Sequence, residues 1–90
     1  MLVYKAVYQF CDDGVHAEVL DFPGAISCGK DLDEARRMLA GALVDMAETS
    51  LQHGEPLPQP DSSLAYVDAD LEEPIHLILT AAAHVACVPQ

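Results

Sequence analysis

Apolar and polar residues alternate through the beginning of the chain with the two-residue period of β-strands. The range 2–10 places its larger apolar side chains on one face, and the Asp13-Gly14 pair that follows is typical of a hairpin turn. Residues 15–20 alternate in the same way, and residues 25–28 form a short apolar stretch. The pattern predicts a three-stranded antiparallel meander over residues 1–30.

A helical period follows the meander. Asp31 is a favourable N-cap residue, and Glu34 has the spacing of a capping box. The helix is predicted over residues 31–54, because Gly54 is a typical residue at a helix end and a proline-rich segment follows it. The residues expected to face the core lie three or four positions apart: Leu32, Ala35, Met38, Leu39, Ala42, Leu43 and Met46.

The last third of the chain is less regular. Residues 55–74 are predicted to form a proline-rich and acidic connector, in which the acidic stretch 68–73 forms an exposed turn. Residues 75–88 form a C-terminal strand region, in which the range 81–88 fits either a strand or a helix of small residues. The chain is therefore expected to form a single α+β domain over residues 1–90. In this domain one long helix packs on an antiparallel sheet of three to four strands, in the order β-β-β-α-β.

A second apolar stripe flanks the expected core face of the helix. It consists of Ala40, Val44, Ala47 and Leu51. One interpretation is a wide core. The other, which we favour in a chain of 90 residues, is the contact surface of a homo-dimer or a higher homo-oligomer. A sheet edge is a further route to a symmetric dimer.

The charge of the chain limits its partners. The formal net charge at pH 7 is −11, with 15 acidic and 4 basic residues. Such a surface repels the phosphates of nucleic acids, so direct binding to DNA or RNA is not expected. It suits a basic protein partner, and solubility alone is the alternative explanation.

The cysteines and the apolar stretches indicate the compartment. The 3 cysteines have no C-x-x-C spacing, which indicates reduced thiols in a cytosolic protein. The chain does not open with the basic and apolar segments of a signal peptide. Its longest apolar stretch, residues 75–88, is too short to span a membrane. We therefore expect a cytoplasmic protein without membrane association.

Residues that support catalysis or metal binding do not form a recognisable pattern. No serine lies in a G-x-S-x-G motif, and the 4 histidines have neither H-E-x-x-H nor paired-cysteine spacing. Cys28, near the start of the helix, is interpreted as an unreactive core thiol. The expectation is a protein that is not an enzyme and that holds no metal or cofactor.

Several short motifs follow one another in a fixed order within the first 60 residues. They are Asp21-Phe22-Pro23-Gly24, Gly29, Asp31-Leu32-Asp33-Glu34-Ala35, Ala42-Leu43 and Gly54-Glu55-Pro56-Leu57-Pro58-Gln59-Pro60. The set resembles the HicB antitoxin family, whose pattern is D-x-P-G, a glycine, a T/D-L-x-E-A helix start and a helix closed by G-E-x-x-P-x-P. The resemblance covers residues 2–60, about two thirds of the chain.

The resemblance implies a HicB-like fold, which is related to part of the ribonuclease H fold, and the function of an antitoxin. HicB antitoxins bind and neutralise HicA, a small basic toxin that cleaves RNA and has a fold like that of double-stranded-RNA-binding domains. The expected partner is therefore a HicA-like toxin, whose RNA-binding surface the chain occludes without enzymatic activity. The acidic residues expected to contact the toxin are Asp21, Asp33, Glu34, Asp45 and Glu48.

The sequence also departs from the family pattern, and two alternatives follow. Many HicB relatives carry a ribbon-helix-helix or helix-turn-helix domain, whereas the residues after the proline segment contain no Lys or Arg, so contact with an operator is not expected. The first alternative is an orphan HicB-like module that forms homo-oligomers and binds another protein or ligand. The second, a two-metal nuclease, is disfavoured because Asp12 and Asp13 lie in a turn and the net charge repels nucleic acid.

Overall fold

The protein contains five β-strands and one α-helix in a computed structural model that describes residues 1–79 and 85–88. The elements are, in chain order, β1 (Leu2–Cys11), β2 (Gly14–Val19), β3 (Ile26–Gly29), α1 (Leu32–Gln52), β4 (Leu71–Leu79) and β5 (Val85–Val88). The expected α+β class is confirmed, with a sheet of five strands instead of three to four. The sequence left residues 81–88 open between a strand and a helix. Residues 85–88 form a strand, and residues 81–84 lie outside the described residues. Within the described ranges, no helix is long and apolar enough to cross a membrane.

The strands form one antiparallel sheet in the spatial order β3-β2-β1-β4-β5. β1 is the central strand, and its Ala6 pairs with Val19 of β2 and with Glu73 of β4. Side chains alternate between the two faces of a strand, so Tyr4 and Tyr8 lie on the same face as Ala6. α1 packs on this face. The opposite side of the sheet is called the open face below.

The hydrophobic core lies between α1 and the sheet. Its residues are Tyr4, Ala6, Tyr8, Val15, Ala17, Val19, Phe22, Ala25, Ala35, Leu39, Leu43, Ala47, Ile75 and Leu77. The rings of Tyr4 and Phe22 pack edge to face, with their centroids 5.3 Å apart. Each of the larger side chains contributes about 1.5–3 kcal/mol through burial, before the cost of ordering it is subtracted. The core includes alternating residues of β1 and β2, so the two-residue period along these strands predicted their buried face correctly.

The start of α1 is fixed by hydrogen bonds and by one glycine. The Oδ1 atom of Asp31 accepts a hydrogen bond from the Glu34 amide at 2.9 Å, and the Glu34 carboxylate accepts one from the Lys30 amide at 3.0 Å. The expected capping pair is thus present, with Glu34 reaching one residue beyond the N-cap. Gly29 lies so close to the helix that a Cβ atom there would collide with the backbone of Ala35. This contact explains the glycine of the motif.

The connector after α1 passes from the helix side of the sheet to the open face. On the helix side, the Tyr4 hydroxyl donates a hydrogen bond to the carbonyl oxygen of Pro58 at 2.7 Å. On the open face, the Lys5 Nζ atom donates to the carbonyl oxygens of Ser62 and Leu64, at 3.1 and 2.6 Å. The connector therefore contacts β1 from both sides.

The acidic stretch expected to form an exposed turn is partly a strand. β4 begins at Leu71, so Glu72 and Glu73 belong to it. The Lys5 Nζ atom lies 3.5 Å from Glu72 Oε1, and the Arg36 Nε atom lies 2.8 Å from Glu73 Oε1. These two cations, both distant in sequence, offset the cost of placing carboxylates in a sheet.

Three side chains expected in the core lie outside it, and one of them, Ala42, is half-buried and not part of the core cluster. Met38 is 52% exposed, because the buried positions of α1 follow one another at intervals of four residues: Ala35, Leu39, Leu43 and Ala47. Cys28 was interpreted as a core thiol and is exposed, because its position in β3 places it opposite His16 on the open face.

Candidate functional site

Three acidic residues of α1 form the outer helix face, a name used here for Asp33, Asp45 and Glu48. Asp33 and Asp45 are exposed and Glu48 is half-buried. Within residues 1–79 and 85–88, the carboxylates of Asp45 and Glu48 have no hydrogen bond or ion pair, and Asp33 Oδ1 lies 4.0 Å from an Arg36 nitrogen. The last turn of the helix contains no basic residue that would balance them. This face therefore presents negative charge to the solvent.

The other two predicted contact residues are engaged inside the protein. Asp21 is only 5% exposed, and its carboxylate accepts hydrogen bonds from the backbone amides of Lys5 and Asp61, both at 2.9 Å. Glu34 is half-buried and caps the helix start through Lys30. Asp21 therefore holds the connector against β1, and its carboxylate is not exposed to a partner.

The Arg36 guanidinium joins the helix to the sheet. It donates to both carboxylate oxygens of Glu73, at 2.8 and 2.9 Å. These hydrogen bonds hold the pKa of Glu73 below its ordinary value. Burial, with the nearby Glu73 carboxylate, raises the pKa of Tyr8. The arrangement connects three elements, α1, β1 and β4.

The internal ion pairs change the balance of charge at the surface. Lys5 and Arg36, two of the 4 basic residues, are both engaged with carboxylates of β4. Lys30 and Arg37 are exposed. Most carboxylates of the chain therefore remain at the surface with few cations beside them, which favours association with a positively charged partner.

Cross-strand pairing assembles a groove on the open face. Val7 of β1 lies opposite Glu18 of β2, and Glu18 lies opposite Ile26 of β3, so the three side chains form one row. Tyr66 of the connector lines the same groove, which has a volume of about 240 Å³. Val7 is 3% exposed and forms the floor, whereas Ile26 is 59% exposed and forms a rim. Gln9 and His16 are further lining residues.

The sequence pattern did not identify this groove. The alternation placed Val7 and Glu18 on the non-core faces of their strands, but only the register shows that they are neighbours. Tyr66 comes from the connector, where no periodicity indicates which way a side chain points. The aromatic residue between turn residues was the one available signal, and it is weak on its own.

A larger groove of about 370 Å³ lies between β1, β4 and the connector. Its charged side chains include Lys5, Asp21 and Glu72. These groups bond to one another or to nearby backbone, through the Lys5 amide on Asp21 and the Lys5 ammonium beside Glu72. The charged groups of this groove are therefore engaged with one another, with Arg36 or with the connector.

The apolar stripe predicted as an oligomer contact lies partly in the core. Ala47 is fully buried, and Val44 and Leu51 are half-buried against the same core. Ala40 is half-buried outside the core cluster. For Ala47 the structure supports the interpretation as a wide core. The oligomer contact remains a prediction for the rest of the stripe.

Among the described residues, no three His, Cys, Asp or Glu side chains are grouped so that they could hold a metal ion. Cys11 and Cys28 are exposed, and burial raises the pKa of the half-buried Cys87 thiol.

Comparison of the chain with models of known protein families finds no match, and comparison with curated proteins finds no significant match either.

Proposed function

We propose that this protein is a non-enzymatic, antitoxin-like binding protein that neutralises a small basic RNA-cleaving toxin of the HicA type. The proposal rests on the resemblance to the HicB family and on the surface charge. The single observation that carries it is the excess of carboxylates at the surface, among which the exposed Asp45 and the half-buried Glu48 have no partner in the described part of the chain.

The physical reason is charge complementarity. A protein that cleaves RNA needs a positively charged surface, because its substrate is a polyanion. An acidic protein of net charge −11 is attracted to such a surface and competes with RNA for it. The toxin is then inhibited because its RNA-binding surface is covered, and no chemical step by the antitoxin is needed.

The test begins with capture and ends with inhibition. The tagged protein is used to isolate partners from a lysate of its source, and a small basic ribonuclease is the expected partner. The purified ribonuclease is then assayed for RNA cleavage with increasing amounts of this protein. We expect cleavage to stop near equimolar ratio. Cleavage that continues at full rate in the presence of excess protein would contradict the proposal.

A charge-reversed variant tests the part played by the outer helix face. Asp45→Lys combined with Glu48→Lys changes exposed or half-buried side chains without internal partners, so the fold should persist. At low ionic strength we expect this variant to bind the ribonuclease about tenfold more weakly. Equal affinity at low ionic strength would remove the outer helix face from the proposal.

A further inference from the structure

The groove on the open face combines three chemical features in a small volume. Its floor is the buried Val7, and its other lining residues include the aromatic Tyr66 and the acidic Glu18. The groove holds about 240 Å³, which suits one long side chain better than a whole small molecule. An apolar floor, an aromatic wall and an anion together suit a cationic side chain with an apolar stem.

Glu18 is the carboxylate of the row that remains available. Val7 is flanked by Glu72 of β4 on one side and Glu18 of β2 on the other. The Lys5 Nζ atom lies 3.5 Å from Glu72 and partly neutralises it. Glu18 is exposed and has no ion pair within the described ranges. A cation entering the groove is therefore attracted to Glu18.

We propose that the groove between Val7, Glu18, Ile26 and Tyr66 binds an arginine side chain of the basic partner and anchors that partner on the open face. This inference rests on the proposed function, since the arginine belongs to the toxin. The guanidinium group pairs with the Glu18 carboxylate, and the stem of the side chain lies over Val7 and Ile26.

The same chemistry selects arginine over lysine. A guanidinium group is planar, stacks on an aromatic ring and donates two parallel hydrogen bonds to a carboxylate. An ammonium group is compact and more strongly hydrated, so it gains less from the ring of Tyr66. The Gln9 side chain, which also lines the groove, offers a further acceptor to the broader guanidinium.

The experiment uses two small probes with the ¹⁵N-labelled protein in NMR titrations. The probes are Nα-acetyl-arginine amide and Nα-acetyl-lysine amide. We expect the arginine probe to bind at least about threefold more tightly than the lysine probe. Its largest shifts should fall on the backbone amides of Val7, Glu18, Ile26 and Tyr66. Shifts concentrated on α1, or equal affinities for the two probes, would overturn the proposal.

Two variants and a matched control refine this test. Glu18→Gln keeps the shape of an exposed side chain and should weaken the arginine probe about three- to fivefold. Tyr66→Leu keeps an apolar wall and should remove the preference for arginine. Asp45→Asn makes the same change of charge on the outer helix face and should leave binding of the probe unchanged. If Asp45→Asn weakened the probe as much as Glu18→Gln, binding would be a general effect of charge and the proposal would fail.

The failure of this inference can be distinguished from the failure of the proposed function. A ribonuclease that is inhibited equally by the wild type, Glu18→Gln and Tyr66→Leu would overturn the groove and retain the antitoxin function. A ribonuclease that is never inhibited would overturn the antitoxin function, whatever the probes show. With the toxin, we expect Glu18→Gln to act mainly on the dissociation rate, because it removes a contact made in the complex.

Discussion

The buried carboxylate of Asp21 connects the fold to the groove, and Asp21→Asn tests that connection. One carboxylate oxygen accepts the Lys5 amide of β1 and the other accepts the Asp61 amide of the connector. An asparagine amide has one acceptor oxygen, and its NH₂ group only donates. In Asp21→Asn, one of the two backbone amides therefore faces the NH₂ group of the asparagine. In the wild type the same amide donates to a carboxylate oxygen.

The magnitude follows from the two hydrogen bonds. Loss of one charge-assisted hydrogen bond costs about 1.5–3 kcal/mol, and a buried donor left without an acceptor costs about 1–3 kcal/mol. Both estimates include the cost of leaving the same amide without an acceptor, so they are not added together. We expect the free energy of unfolding to fall by about 3 kcal/mol. A domain of this size loses about 4–8 °C of melting temperature per kcal/mol, so the expected decrease is about 12–24 °C.

Thermal unfolding followed by circular dichroism is the assay, with Asp45→Asn as the control. The control makes the same change of charge at an exposed carboxylate, so its melting temperature should stay within about 4 °C of the wild type. If Asp21→Asn also melted within about 4 °C of the wild type, the connector would not be held by this carboxylate. Because Tyr66 follows Asp61 on the connector, Asp21→Asn should also weaken binding of the arginine probe.

Three further predictions concern the helix. Glu73→Gln should reduce the free energy of unfolding at neutral pH by about 1 kcal/mol, which lowers the melting temperature by about 4–8 °C. Because the Arg36 hydrogen bonds lower the folded pKa of Glu73, its contribution is fully present above the ordinary value of 4.5 and is lost as the pH falls through the folded pKa. Melting curves of wild type and variant should therefore converge in acid, and a constant difference would contradict this. Gly29→Ala should reduce the free energy of unfolding, measured with urea, by about 3 kcal/mol, because the added Cβ atom forces the backbone of Ala35 to move. Unchanged stability would show that the helix accommodates the Cβ atom without this cost. If the chain forms the predicted dimer through the apolar stripe, Ala40→Glu should reduce the mass measured by light scattering to that of a monomer. A dimer mass that Ala40→Glu leaves unchanged would remove the apolar stripe as the contact.

The local periods of the sequence predicted β1, β2 and the bounds of α1, because each depends on neighbours in the chain. The buried face of α1 was predicted less well. A stripe with the 3.6-residue period runs parallel to the helix axis and includes Met38, whereas the observed core residues lie four apart, from Ala35 to Ala47. Such a row is inclined to the axis, as it is when a helix crosses the element beneath it at an angle. The crossing angle is a tertiary property that the sequence pattern does not contain.

The extent of β4 was missed for a related reason. Glu72 and Glu73 have low strand propensity, so the pattern indicated a turn. In the fold, each carboxylate is paired with a cation that lies more than 35 residues away in sequence, Lys5 or Arg36. Asp21, which was predicted to contact a partner, was misassigned for the same reason. Its carboxylate joins Lys5 of β1 to Asp61 of the connector, and the sequence pattern does not show that these two segments are neighbours. The roles of polar residues whose partners are distant in sequence are therefore what the sequence pattern of this chain did not predict.

The outer helix face and the groove lie on opposite sides of the sheet, so we expect a compact toxin anchored in the groove not to contact the helix. The chain measures 21 Å along its shortest axis, while screening reduces electrostatic interactions beyond about 30 Å at 0.01 M salt and beyond about 8 Å at 0.15 M. If the toxin is anchored in the groove, reversing the charges of Asp45 and Glu48 acts only at long range. The loss of affinity should then appear at low salt and nearly vanish at 0.15 M, whereas the effect of Glu18→Gln should persist. An effect of the helix variant that persisted at 0.15 M would instead place the toxin on α1 and overturn the groove as its anchor.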